Sequence, residues 1–234
     1  MEFGEFIKDI KRKKELQDIP DSFILNRIDG YFIENKVLLG DNFNKKSSKY
    51  KKMFKEIRKD LHLVYGMFHN RHERGLEVYE KLITMLPPIR SIVDLGCGLA
   101  PLKYVKLFPG LKYCAYDLGG ENIEKINEFF KKNKIRGKGF VCDLLTFNKY
   151  SKGDLCFIFS VLESLEYLER GVSKKILRRV NCKFIIVGFS KKVLGGKANI
   201  KKKGRAWFRK LLKEEGYVYE IKDIGDDIFF IIKK

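Results

Sequence analysis

The chain has 234 residues, 44% of them apolar, which suffices for a sizeable core and excludes a disordered polymer. Lysine and arginine outnumber aspartate and glutamate by 49 to 30, a formal net charge of +19 that selects a polyanionic partner, nucleic acid before membrane. No apolar run approaches a membrane span, and Glu2, Glu5, Lys8 and Asp9 interrupt the N-terminal pattern in a way no signal peptide does, so the expected compartment is cytoplasmic.

The excess charge is uneven. The first ninety residues hold 19 Lys+Arg against 14 Asp+Glu, leaving 30 against 16 from Ser91 onward. Cys97, Cys114, Cys142, Cys156 and Cys182 form no C-x-x-C pair and lie mostly in apolar runs. They read as buried reduced thiols, with neither a disulfide framework nor a metal site suggested.

Phe3, Phe6, Ile7 and Ile10 keep a helical spacing, and Asp18 to Ser22 breaks that helix and caps a second over Ser22–Glu34. After a turn at Gly40-Asp41-Asn42, the residues Met53, Ile57, Leu61, Val64 and Phe68 mark one face of a long helix. Its other face is basic: eight Lys or Arg between Lys45 and Lys59 against one acidic residue, Glu56. That density is compatible with a solvated face or with RNA contact. A further helix over Arg71–Leu86 stops at Pro87-Pro88, so residues 1–88 are expected to be a helical, RNA-docking extension.

From residue 89 the pattern alternates strands and helices, the mark of a parallel sheet with crossovers. Strands are predicted at Ser91–Leu95, Lys112–Tyr116, Gly139–Cys142, Asp154–Phe159 and Phe184–Phe189. Helices are predicted at Pro101–Phe108, Gly120–Lys132, Val172–Val180 and Lys203–Glu215. Tyr217–Ile224 and Ile228–Ile232 flank the turn Gly225-Asp226-Asp227, too short for anything but a hairpin. The fold class is α/β: a Rossmann-like sheet of five parallel strands plus a terminal antiparallel hairpin, with an all-helical N-terminal extension.

The first strand runs into Asp94-Leu95-Gly96-Cys97-Gly98, and Pro101 then opens a helix. Gly96 and Gly98 let backbone approach a nucleotide-like ligand with no Cβ in the way. A dinucleotide motif would need a third glycine where Pro101 stands. Ligands of open α/β sheets sit at the carboxyl ends of the strands. The second strand ends at Asp117-Leu118, 23 residues after Asp94, where a carboxylate can accept hydrogen bonds from a ribose diol. The third ends at Asp143-Leu144, where an acceptor and an apolar neighbour can hold an adenine ring. Asp94-x-Gly96-x-Gly98 resembles the first motif of S-adenosyl-L-methionine (SAM) methyltransferases, and the SAM-dependent methyltransferase domain is set at 89–234.

The likeness is narrower than a superfamily. Asp94 to Leu102 resembles D-x-x-C-G-L-N-P-L of the FmrO-type aminoglycoside-resistance 16S rRNA (guanine-N7) methyltransferases. Val187 to Lys197 resembles their V-S-F-P-T-R-S-L-G-G-R, Ile224 to Ile232 their I-G-x-E-L-I-Y-x-I, and His72-Glu73-Arg74 the tail of their S-T-R-E-R. Departures stand at Asn70-Arg71, Ala100 and Ser190, and at Ser160-Val161-Leu162-Glu163 in place of K-x-L-P. The resemblance implies SAM-dependent methylation of a guanine N7 in 16S rRNA, in the decoding site of an assembled 30S subunit, by a monomer. It implies that Arg74 holds the SAM carboxylate. The fourth strand end would then face the transferred methyl, which makes Phe159, Ser160, Leu162 and Glu163 catalytic candidates. Phe189 joins them as an aromatic that could hold the base. Another RNA base, or a non-catalytic RNA-binding or ribosome-assembly role that keeps the fold, remains the alternative.

Between Lys191 and Lys213 ten Lys or Arg occur with no acidic residue. Lys191, Lys192, Lys197, Lys201, Lys202, Lys203 and Arg205 are the expected phosphate contacts, helped by a helix N-terminus.

Overall fold

The structure, a computed structural model, describes residues 3–36, 45–65, 74–191 and 205–234. They divide into two compact units, Met1–Arg71 and His72–Lys234.

The described part of the first unit is helical: α1 (Gly4–Lys11), α2 (Asp21–Glu34) and α3 (Ser48–Val64), with a 3-10 turn at Lys14–Leu16. Each helix turns its apolar stripe inward, so Phe6, Ile10, Phe23, Ile24, Ile28, Met53, Ile57 and Leu61 are all buried. Ser47 starts α3 by accepting a hydrogen bond from the Tyr50 N–H at 3.1 Å. Arg27 and Asp60 pair at 2.9 Å between α2 and α3. Lys51, Lys52, Lys55 and Lys59 line the exposed face of α3, whereas Lys45 pairs with Glu5 and Asp9. Phe68 and the turn at Gly40–Asn42 lie outside the described residues.

The second unit is one seven-stranded sheet. Its strands are β1 (Ser91–Leu95), β2 (Lys112–Asp117), β3 (Gly137–Val141), β4 (Gly153–Phe159), β5 (Cys182–Ser190), β6 (Val218–Ile224) and β7 (Asp227–Lys233), in the order β3-β2-β1-β4-β5-β7-β6. The first five are parallel, and β7 joins β5 and β6 antiparallel. The continuous apolar runs of β1, β4 and β5 are what a parallel strand covered on both faces demands. β6, at the edge, alternates exposed and half-buried positions.

The helices of this unit are α4 (Leu76–Thr84), α5 (Pro101–Tyr104), α6 (Gly120–Lys132), α7 (Leu162–Leu168), α8 (Val172–Arg179) and α9 (Ala206–Glu214). Three differ from expectation. α4 reads as the last helix of the extension, yet Val78, Tyr79 and Leu82 lie in the sheet core, with Tyr79 stacked on Tyr104 at 3.8 Å between ring centres. The second unit therefore begins ahead of residue 89. The helix expected over Pro101–Phe108 lasts one turn and continues as a 3-10 turn. α7 is not predicted at all, because Leu162–Leu168 is shorter than the window a 3.6-residue period needs.

All five cysteines are buried and free. Among the described residues no helix is long and apolar enough to cross a membrane, and no His/Cys/Asp/Glu group could hold a metal ion.

Gly188 shows how tightly the centre of the sheet packs. A Cβ there would lie 2.8 Å from Phe229 Cε1 and 2.9 Å from Phe159 Cδ1, both on neighbouring strands. Gly188→Ala is expected to cost about 1–3 kcal/mol through overpacking. A urea denaturation midpoint unchanged by the substitution would contradict this packing.

Candidate functional site

The carboxyl ends of β1, β2, β3 and β4 bring the predicted residues to one edge of the sheet. The turn after β1 is stitched to β2: the Gly96 and Cys97 N–H groups donate to the Tyr116 carbonyl at 2.8 and 3.2 Å. One residue later the side chain of Asp117 takes over. Its Oδ2 accepts from the Gly98 N–H and its Oδ1 from the Gly119 N–H, each at 2.8 Å. Asp117 is 8% exposed, so its carboxylate is held by backbone donors at the mouth of the turn.

The two glycines are required for different reasons. Both have positive φ, +70° at Gly96 and +53° at Gly98. At Gly96 a Cβ would stand 2.3 Å from Val161 Cγ2, so the turn abuts the residue that follows β4. At Gly98 a Cβ would meet nothing within 4 Å, so the turn opens there on free space.

Asp94, behind the turn, is 4% exposed and accepts from the hydroxyls of Tyr104 and Tyr113 at 2.8 and 2.5 Å. The two hydroxyls also contact each other. Burial is the largest influence on this carboxyl and raises its pKa from 3.8 to about 7, with the Tyr104 hydrogen bond and the distant Arg74 charge working the other way. Burial and the neighbouring Asp94 push the Tyr104 phenol well above 10, so it remains a donor.

At the third strand end, Asp143 Oδ1 accepts from the Leu145 N–H at 2.9 Å, and Leu144 is 7% exposed beside it. Leu118 is half-buried. Asp117, Asp143 and the glycine turn thus share one edge.

β4 ends in an unusual residue. Ser160 has φ +62°, a left-handed backbone that costs a non-glycine residue about 1–2 kcal/mol, and it is 7% exposed. Its N–H donates to the Gly188 carbonyl at 2.8 Å and its Oγ accepts from Arg74 Nη2 at 2.8 Å. Arg74 also pairs with Asp227, Nε to Oδ2 at 2.9 Å, and its guanidinium lies 4.8 Å from the Phe159 ring centre. Sequence reasoning missed Asp227 because it reads as a turn residue of the terminal hairpin. β7 begins there and pairs with Ser190, which carries Asp227 to the same edge. Tyr104 and Tyr113 were also missed, and no spacing announces them.

Several expected roles are corrected. Phe189 is 1% exposed and packed among Trp207, Phe208 and Phe230, so it cannot reach a base. Leu162 is buried in the first turn of α7, and Phe159 is 9% exposed beneath Arg74. Arg205, expected to meet phosphate, is 4% exposed. Its Nη2 donates to Glu163 Oε2 at 3.0 Å and to the Ser190 carbonyl at 2.8 Å, and its guanidinium lies 5.0 Å from the Phe189 ring centre. Burial lowers its pKa from the usual arginine value. Lys191 is partly spent too, donating to the Gly225 carbonyl at 2.7 Å and pairing with Asp223. Lys192, Lys197, Lys201, Lys202 and Lys203 lie outside the described residues.

Known proteins resemble this chain in sequence and in fold. The family model described as ribosomal RNA methyltransferase (FmrO) matches residues 51–231. A 16S rRNA (guanine(1405)-N(7))-methyltransferase of Serratia marcescens is 28% identical over 147 residues, 62% of this chain and 58% of that protein. The chain thus spans less than two thirds of the length of the curated relatives it matches. The solved structure of the 16S rRNA methylase RmtB superposes with a TM-score of 0.75 at 18% identity, covering 100% of this chain and 99% of that one. The 16S rRNA methyltransferase RmtF, solved with S-adenosyl-L-homocysteine, superposes with a TM-score of 0.75 at 15% identity, covering 99% and 97%. At these identities the superpositions establish the fold.

The buried Asp94 carries a pH signature. Between about pH 4 and about pH 7 the unfolded chain has released this proton while the folded chain keeps it, so stability falls as pH rises through that window. The slope is up to roughly 1.4 kcal/mol per pH unit. Asp94→Asn keeps an acceptor for the tyrosines and should remove that slope. Parallel urea midpoints for wild type and variant across the window would show the carboxyl to be ordinary.

Proposed function

Since the chain belongs to the FmrO ribosomal RNA methyltransferase family, we propose that it binds SAM at the glycine turn and methylates N7 of a guanine in 16S rRNA within the assembled 30S subunit, in the cytoplasm. The helical first unit, residues 1–71, acts as the RNA-docking extension. One observation carries the reading: the Gly96–Gly98 turn, Asp117 and Asp143 converge on three adjacent strand ends, with open space above Gly98. The names of the Serratia relative and of the RmtF complex support the same substrate and cofactor.

The residues fit that cofactor. Asp117, already fixed by two backbone N–H groups, has lone pairs left for a ribose diol. Asp143 and Leu144 supply an acceptor and an apolar cover for adenine. Arg74 offers a planar donor fork to a carboxylate, although in this chain it shares that fork with Asp227 and Ser160. When bound, SAM supplies an electrophilic methyl group on a sulfonium centre. Guanine N7 carries a free lone pair at neutral pH, so the protein has to align and hold the base rather than remove a proton. Glu163 suits that scheme: its carboxylate is engaged by Arg205 and is badly placed to act as a base.

Asp117→Asn sets an NH2 donor against one of the two backbone N–H groups, which loosens the turn as well as the ribose contact, and SAM affinity should drop by at least about 1.5–3 kcal/mol. Calorimetry giving wild-type affinity in a folded variant would remove Asp117 from the site. Glu163→Gln should lose less than about tenfold in rate, against the 10²–10⁴-fold expected when a general base is removed. A larger loss that follows a carboxylate titration would point to a target that must shed a proton. Incubating 30S subunits with labelled SAM and mapping the modified nucleotide tests the whole reading. Label on a position other than a guanine N7 would overturn it.

A further inference from the structure

We propose that Arg205 and Glu163 act as a paired positioning device for the RNA substrate, tying the end of β5 and the start of α9 to the first turn of α7. The inference rests on the function proposed above. Three elements meet at one guanidinium. Its Nη2 donates to Glu163 Oε2 at 3.0 Å on α7 and to the Ser190 carbonyl at 2.8 Å at the end of β5. Arg205 itself begins α9, where its carbonyl accepts from the N–H groups of Phe208 and Arg209 at 3.1 Å each. The Phe189 ring covers the guanidinium at 5.0 Å and closes it off from solvent.

Stability alone is a poor reason for such a pair. Burying a guanidinium costs desolvation free energy that its partner only roughly offsets, and apolar residues of similar volume commonly do as well. What the pair adds is geometric definition. A fork with two fixed acceptors specifies one relative placement of the three segments, which apolar packing would leave free to slide. The place so specified matters. Glu163 stands three residues after Ser160, whose hydroxyl holds Arg74, and Ser190 pairs with Asp227, which holds the same arginine. The Arg205 pair therefore draws on the same two strand ends, after β4 and at the end of β5, as the partners of Arg74. The chain between the two ends it joins carries Lys192, Lys197, Lys201, Lys202 and Lys203. Fixing Ser190 and Arg205 holds described residues on either side of this basic stretch of sequence, which governs how an RNA is presented and leaves cofactor binding alone.

The experiment compares wild type, Glu163→Ala, Arg205→Met and the double variant as full-length protein. Methyl transfer from labelled SAM to 30S subunits gives kcat/KM, calorimetry gives SAM affinity, and thermal melting gives stability. Each single substitution is expected to lower kcat/KM for the particle by about tenfold or more, with SAM affinity within about twofold of wild type. The double variant should be no worse than the poorer single, because the second change removes a partner already lost. Glu163→Gln, which keeps an acceptor oxygen for the guanidinium, should recover most of the loss seen in Glu163→Ala. Should Arg205→Met fail to fold, the Ala and Gln variants at position 163 carry the test. Wild-type kcat/KM in folded Glu163→Ala overturns the inference, as do multiplicative losses in the double variant or a parallel fall in SAM affinity. Wild-type protein that binds SAM but leaves the particle unlabelled overturns the proposed function, a result separable from those three.

Discussion

The site depends on one carboxylate. Asp117 accepts from the Gly98 and Gly119 N–H groups, and this pair of bonds decides where the turn after β1 lies relative to the end of β2. Hydrogen bonds from neutral donors to a mostly buried charged acceptor are stronger than neutral ones, so the turn is stiff even though its glycines are conformationally permissive. The conflict is resolved by division of labour. The glycines make the tight path accessible, and Asp117 selects one conformation along it. The open space above Gly98 follows, because the turn is anchored from below and from the side and nothing needs to cover its outer surface.

The rest of the edge is organised around buried charge. Arg74 is engaged by Asp227 and Ser160 over the Phe159 ring, Arg205 by Glu163 and the Ser190 carbonyl over the Phe189 ring. The two arrangements repeat a plan: a guanidinium on an aromatic face, one carboxylate, one oxygen from the end of a strand. A low-dielectric edge makes each cation costly without such partners, so both are held in place. Asp94 answers the same constraint differently. With two tyrosine hydroxyls and no cation in contact it retains its proton up to about pH 7.

The net charge of +19 sits outside this economy. The exposed lysines of α3 in the first unit and the basic run between Lys191 and Lys213 contribute much of it, although Arg205, within that run, is buried at the sheet edge. The long-range positive field and the well-defined sheet edge are therefore separate properties, carried largely by different residues. A count of basic residues describes the first and says nothing of the second.

The sequence by itself determined the strands of the sheet, the terminal hairpin, the glycine turn and the three carboxylates at successive strand ends. Those features are local: a buried strand needs a continuous apolar run, a tight turn needs glycine, and a strand end is where such a run stops. What the tertiary structure decided is which polar groups meet. Arg74 finds Ser160 at a separation of 86 residues and Asp227 at 153, and Arg205 finds Glu163 at 42, and no periodicity encodes such distances. The same holds for α4, whose apolar stripe shows that it must pack but not against what. Arg205 belongs to a basic run and Phe189 to a strand end, positions that in sequence suggest contact with RNA. Both turn inward, Arg205 to meet Glu163 and the Ser190 carbonyl and Phe189 to pack among Trp207, Phe208 and Phe230, and only the packed chain shows those contacts.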